Sequence, residues 1–397
     1  MDLALPDVLH GGEVGSFAEN TIRTRLPAIA RRIFRENQLS ASVAAQLEAL
    51  IADIPHTSLS PIADNAPDVD SWNAALAPYT GASWLEAPWF VVETYFYRRV
   101  IAATRYFHGG IDPFSLQKRL GLNTSSAPIA ALAGRLAAWL AGNSPPTALA
   151  PLLTIALWGN QADLSLWPAD AAAHAAAETL HTDETQIIVN DTAAVAAYLA
   201  RPTPRIDLVA DNAGYELVCD LALVDLLLHG GLAHQVVVHV KLHPTFVSDA
   251  TEADVHATIA HLGTAADAPT RAFGTRLQAA LDAHRLQLQC HPFWTSPLVG
   301  WEMPADLYST LSHTRLLISK GDANYRRWLG DRRWPFSLPF SRVVHYTPAP
   351  LLALRTCKSN LIVGLDPLKP AELAACDPGW LTNGRWGVIQ FSAATPP

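Results

Sequence analysis

The chain has 397 residues, of which 50% are hydrophobic and 16% charged, and a formal net charge of −8. Such a composition excludes a disordered polymer and leaves room for a sizeable core in one large domain or two. The acidic balance argues against nucleic acid or a membrane surface as partner. No apolar run reaches the roughly 20 residues of a spanning helix, and the start MDLALPDVLHGGEVG lacks a basic region and an apolar signal core.

In chain order, apolar residues recur at helical spacing over Thr21–Glu36, Ser40–Ile54, Trp84–Phe107, Pro128–Ala141 and Ala148–Trp158. Pro128 suits the first turn of its helix, where no backbone donor is required. Residues 1–180 are therefore expected to form a helical subdomain, ending in an Ala-rich helix or linker, AAAHAAA at 171–177. From Gln186 the rhythm changes. Short runs rich in β-formers now alternate with helices: QIIV at 186–189, IDLVA at 206–210, QVVVHV at 235–240, LQLQC at 286–290, LLIS at 316–319, VVHY at 343–346 and NLIVGL at 360–365. That alternation predicts an α/β domain over residues 181–397, with a mainly parallel sheet covered on both faces. Four cysteines, at 219, 290, 357 and 376, show no CxxC spacing. They read as free thiols in a reducing compartment, with the cytoplasm as default.

Asp211 and Asn212 stand directly behind IDLVA, and Asp249 closes the next apolar run in the same way. Between them, residues 216–228 (ELVCDLALVDLLL) read as a helix stopped by Gly230 and Gly231. Strand, crossover helix and strand make a βαβ unit, whose parallel strands end on one edge of the sheet, where open α/β sheets bind ligands. Two carboxylates and an amide carbonyl are thus expected together there, a donor set suited to magnesium, manganese or a similar hard divalent ion. An Asp or Asn after a strand also serves as a helix cap, but the repetition one βαβ unit later favours the ligand reading. Glu216 either points back toward this edge or is a solvated first-turn acid.

A third segment, LLISKGDANYRRWLGD at 316–331, carries Lys320, Gly321, Asp322, Asn324 and Arg326 to the same edge. Its cations can neutralise a phosphate, and Asn324 can hydrogen-bond one. A fourth, Arg355-Thr356-Cys357-Lys358, precedes NLIVGL. The chain has only five lysines against 23 arginines, and Lys241, Lys320 and Lys358 all border predicted strands. A compact ammonium is not interchangeable with a guanidinium where one anion must be met at one point. Trp89, Glu93 and Arg98 can roof the site or simply form the polar rim of a core helix. His239 and His243 lie on a strand and read as packed histidines; Cys290-His291 lacks a third partner for a dyad. HGGEVG at 10–15 is too far from a strand for a dinucleotide loop.

Taken together, IDLVADNAGYELVCDLAL, VVVHVKLHPTFVSD, WTSPLVGWEMPADLY, LLISKGDANYRRWLGDRRWPF and LRTCK resemble the metal-dependent damage-control phosphatases, in the branch marked by an RTxK motif. WLEAPWFVVETYFYRR and LWGNQADLS add to the resemblance. It implies a three-layer α/β/α domain with a helical amino-terminal subdomain, and hydrolysis of small phosphorylated metabolites such as fructose phosphates with manganese, cobalt, nickel or magnesium. By match to the motifs, Asp211, Asn212 and Asp249 would hold the metal and carry catalysis. Glu216, Lys320, Asp322, Ala323, Asn324, Tyr325, Arg326 and Lys358 would bind substrate. Two alternatives stand beside this expectation: carboxyl methyl transfer from S-adenosylmethionine, and sugar-phosphate binding without turnover.

Overall fold

The computed structural model describes residues 3–142, 145–159 and 184–393. Its centre is a seven-stranded sheet of order β1-β7-β6-β5-β2-β3-β4, formed by β1 (Ile187–Asn190), β2 (Thr203–Val209), β3 (Ala233–Val240), β4 (Leu286–Cys290), β5 (Leu317–Lys320), β6 (Leu351–Thr356) and β7 (Gly387–Ser392). From β4 through β3, β2 and β5 to β6 all pairings are parallel. β7 runs antiparallel to β6 and parallel to β1. The carboxyl ends of β2 to β6 therefore share one edge.

Strand pleating divides the core into two layers. Ile206, Leu208, Val236, Val238 and Ile318 pack on one face with the helices Pro145–Trp158, Tyr215–His229, Glu252–Gly263 and Ala268–Asp282. Val209, Leu317, Leu351 and Ala353 pack on the other with Leu26–Glu36, Ala41–Asp53 and Trp89–Ala103. This is the expected α/β/α sandwich. The helices before residue 159 lie on both faces of the sheet, and the expected boundary at residue 180, with the stretch 171–177, lies outside the described residues. Among the described residues, no helix is long and apolar enough to cross a membrane.

Two strand expectations fail in an instructive way. Residues 343–346 close a short helix, Phe340–Val343, and enter a turn. Residues 360–365 form no strand; the chain there is fixed by Gly364 N–H donating to the Leu338 carbonyl and Leu365 N–H to that of Phe336. Ile362 and Val363 are fully buried as a loop, so their apolar character reports burial rather than ladder pairing. The strands that do form on that side are LLALRT and GVIQFS. The helix expected at Trp84–Phe107 is shorter, Trp89–Ala103, because Pro88 occupies its N-cap position.

Candidate functional site

Three connections meet beyond the carboxyl edge of the sheet. Behind β2, Asp211 and Asn212 enter a turn at Gly214, whose φ of 76° suits glycine, before the helix Tyr215–His229 begins. Asp249 is not at the end of β3, as expected, but at the far end of a loop that leaves at Lys241 and returns. Lys241 bridges to Thr251, and Asn212 bridges to Asp249. Two further ties, Ala250 N–H to the Asp211 carbonyl and Ala213 N–H to that of Ser248, are both 2.7 Å long. The loop turns through Phe246 and Val247 at φ 46° and 71°. A β-branched residue with positive φ is strained, and complete burial of the Val247 side chain holds it in place. Thr251 and Asp254 then form a capping box that starts the next helix.

The side chains interlock. Asn212 donates from Nδ2 to Asp211 Oδ2 at 3.0 Å and to Glu216 Oε2 at 2.8 Å, while its Oδ1 accepts from the Ser248 hydroxyl at 2.6 Å. Lys241 sets its ammonium 2.8 Å from Asp249 Oδ2 and reaches Asn324 Oδ1 at 3.4 Å. Asn324 in turn donates to the carbonyls of Ala210 and Lys320, so it ties the third connection to the first. Gly321, at φ 83°, lies directly against Asp211: a Cβ there would stand 1.9 Å from Asp211 Oδ2. That position admits only a residue without a side chain.

Several of the cations expected at a phosphate engage internal carboxylates. Lys320 is fully buried and contacts Glu216 Oε1 and Asp220 Oδ1, each at 2.9 Å, and the Ala156 carbonyl. Burial opposes its charge, but those two carboxylates outweigh the penalty and hold its pKa above the ordinary value; burial lifts Asp220 to about 7. Arg326 pairs with Glu93 and Asp331 and stacks 3.6 Å from the Trp89 ring centroid. Asp322 accepts at Oδ1 from Arg355 Nε, the Lys358 backbone N–H and the Ser359 hydroxyl, which anchors the RTCK segment at the end of β6. Ala323 is half-buried; Tyr325 donates to Gln390, stacks on Phe340 and carries the Arg355 guanidinium 4.4 Å from its ring centroid. Lys358 is half-buried at the same edge.

Beyond Asn212 and Glu216 opens a small pocket, lined also by Ser248, Gln117, Lys118 and Gly121. Of the suggested roof, Arg98 binds Asp64 and Asp68. His239 and His243 are fully buried, and burial pushes His243 down to about 4. Lys241, although among the three conspicuous lysines, stood outside the expected site; its position one residue beyond β3 was the available signal.

Among the described residues no group of three or more His, Cys, Asp and Glu side chains is disposed to hold a metal ion. The oxygen set of Asp211, Asn212 and Asp249 has two carboxylates and an amide, and all three residues are at most 5% exposed. Its chemistry fits a hard divalent ion that takes its remaining ligands from water or substrate.

Fold and edge together define an α/β protein of the class that places small ligands beyond the carboxyl ends of its strands. Comparison narrows that class. Residues 21–372 match the model of the damage-control phosphatase ARMT1-like domain. The chain is 33% identical to the damage-control phosphatase ARMT1 of Mus musculus, with 97% of this chain and 98% of that protein covered. It is 32% identical to the Homo sapiens protein of the same description, with 98% of each covered, and 31% to that of Danio rerio, with 98% and 97% covered. The crystal structure of a DUF89 family protein from Pyrococcus horikoshii superimposes with a TM-score of 0.49 at 13% identity, covering 93% of this chain and 96% of that one. The chain belongs to the ARMT1-like damage-control phosphatase family. It is a hydrolase, a metal-dependent phosphatase of damaged metabolites.

Proposed function

We propose that the chain hydrolyses phosphate monoesters of small sugars, fructose phosphates among them, and that Asp211, Asn212 and Asp249 hold the divalent ion, manganese being the first choice and magnesium, cobalt or nickel the others. One observation carries this reading: the Asn212–Asp249 bridge, which sets the donors of two separate loops side by side. A divalent ion held there would polarise a phosphoryl oxygen and activate a water. The chain's own residues have the remaining tasks. Phosphoryl transfer asks a protein mainly for positioning and charge stabilisation. Lys358, on the anchored RTCK segment, is the cation assigned to substrate phosphate. Asp322 orients that segment, Asn324 braces the edge, and Lys320 and Arg326 act through the carboxylates they fix, Glu216 among them. The helix Trp89–Ala103, whose Trp89 and Glu93 contact Arg326, is assigned the cover of the site, and the cytoplasm is the compartment proposed, from the free thiols.

A phosphate-release screen over sugar phosphates, run with each metal and no methyl donor, tests the reading. Turnover of a hexose or pentose phosphate with manganese supports it. Tight S-adenosylmethionine binding by calorimetry, with no phosphate released under any metal, replaces it with methyl transfer. Sugar-phosphate binding without release replaces it with a sensor.

A further inference from the structure

Lys241 is a buried cation in direct contact with one of the proposed metal ligands, Asp249. Its side chain is 2% exposed and that of Asp249 1%, and their charged atoms lie 2.8 Å apart. Its backbone is fixed as well: Lys241 N–H donates to the Ala250 carbonyl, and the residue bridges to Thr251. The ammonium therefore sits at the neck of the very loop that presents Asp249. A second buried cation stands in the same region: Arg327 lies against the Phe90 and Phe293 rings and donates to the carbonyls of Leu298, Trp294 and Ser296, and burial lowers its pKa to about 9 against the opposing attraction of Asp249.

Resting on the assignment of Asp249 as a metal ligand, we propose that Lys241 is an internal counter-ion of the metal site, which keeps the fold independent of the ion and weakens the ion's binding so that it can exchange. Two physical consequences share one origin. A buried carboxylate that loses its cation destabilises the fold. The same ammonium, a few ångströms from an incoming dication, raises the free energy of the loaded state, because unit charges at that range interact by several kcal/mol even at an effective dielectric constant near 20. Removing the ammonium must therefore weaken the metal-free protein and strengthen its hold on metal at once. A lysine that only packed would give the first effect without the second. One that itself served to build the metal site would give the second effect with the opposite sign.

The test uses the full chain in three variants, Lys241→Met, Asp249→Asn and the double substitution. Each is stripped with chelator, melted, and titrated with manganese chloride by calorimetry. Lys241→Met is expected to melt roughly 5 °C below the parent when metal-free and to bind manganese at least about tenfold more tightly. The double variant, which removes both charges, is expected to melt above Lys241→Met. Should Lys241→Met be recovered only unfolded, the double variant still decides: a metal-free melt as high as the parent's supports the counter-ion role, and failure to recover overturns it. Unchanged or weaker manganese binding by a folded Lys241→Met overturns the proposal. Asp249→Asn separates the two readings, since metal affinity unchanged in that variant sinks the ligand assignment itself. Loss of affinity there, with Lys241→Met like the parent, sinks only the counter-ion.

Discussion

The acids and the cations of this sheet edge are arranged differently. Behind β2 and β3, Asp211, Asn212 and Asp249 converge from two loops and are linked by backbone bridges. Behind β5 and β6, most of the basic residues already face a carboxylate: Lys320 with Glu216 and Asp220, Arg326 with Glu93 and Asp331, Arg355 with Asp322. The first group assembles a donor set; the second builds a rigid frame, and Lys358 stands half-buried on the segment that Asp322 anchors. A charged residue at a strand end thus announces the edge, but only its partners say whether it serves a ligand or the fold.

The largest expected effect falls on the donor side. Asp211→Ala removes one of the two carboxylates and should cost roughly a thousandfold in phosphate release, about 4 kcal/mol of transition-state stabilisation, with the fold intact. Assay after chelation and calorimetric titration with manganese check it, and full activity in the chelated variant breaks the contrast. On the frame side, Lys320→Met leaves Glu216 and Asp220 buried without their ammonium, which should cost about 3–5 kcal/mol of stability by denaturant unfolding. Its pH dependence has a definite sign. Burial raises the Asp220 pKa from the ordinary 3.8 to about 7, so the folded protein binds that proton more tightly than the unfolded chain does. The stability it contributes is complete below pH 4 and is lost as pH rises through 7. Lys320 opposes this rise, so without it the carboxyl titrates higher still. The cost of Lys320→Met should therefore be greater at pH 8 than at pH 5.5.

The strands and the general edge were legible because β2, β3 and β5 are short, largely buried runs followed by polar residues, and parallel pairing fixes the direction of their ends. Asp211 and Asn212 were legible for the same reason. The path to Asp249 was not: it depends on positive φ at Phe246 and Val247 and on a bridge back to Asn212, neither of which leaves a periodic trace. The pairing of Lys320 with Asp220 was equally hidden, since it joins a strand end to the second turn of a helix a hundred residues earlier. Ile362 and Val363 were misread as a strand because complete burial gives a loop the same apolar signature.

Gly321 joins donor side and frame, and its replacement gives a smaller effect. In Gly321→Ala the new Cβ would stand 1.9 Å from Asp211 Oδ2 at a φ of 83°, so either the carboxylate or the backbone must move. A displacement near 1 Å at a reacting centre costs on the order of a hundredfold. The kcat should fall by about that factor, with a modest loss of melting temperature; an unchanged kcat would remove Asp211 from the chemistry.

The smallest expected effect concerns Lys358. As a bare positive charge it would tolerate arginine, which this chain uses nearly everywhere else. Meeting substrate phosphate from a half-buried position, its ammonium occupies a point that a planar guanidinium cannot. Lys358→Arg should then lower kcat/KM by roughly tenfold and leave the melting temperature unchanged. Lys369, with a side chain 40% exposed beside Glu372, is the fitting control, and Lys369→Arg should be silent. Lys118 is unsuitable for that purpose, because it is buried between Asp112 and Asp254, and its replacement would report on the loop that carries Asp249. Equal activity of Lys358→Arg and Lys369→Arg would place Lys358 with the frame, and every cation behind β5 and β6 would then serve the fold rather than the ligand.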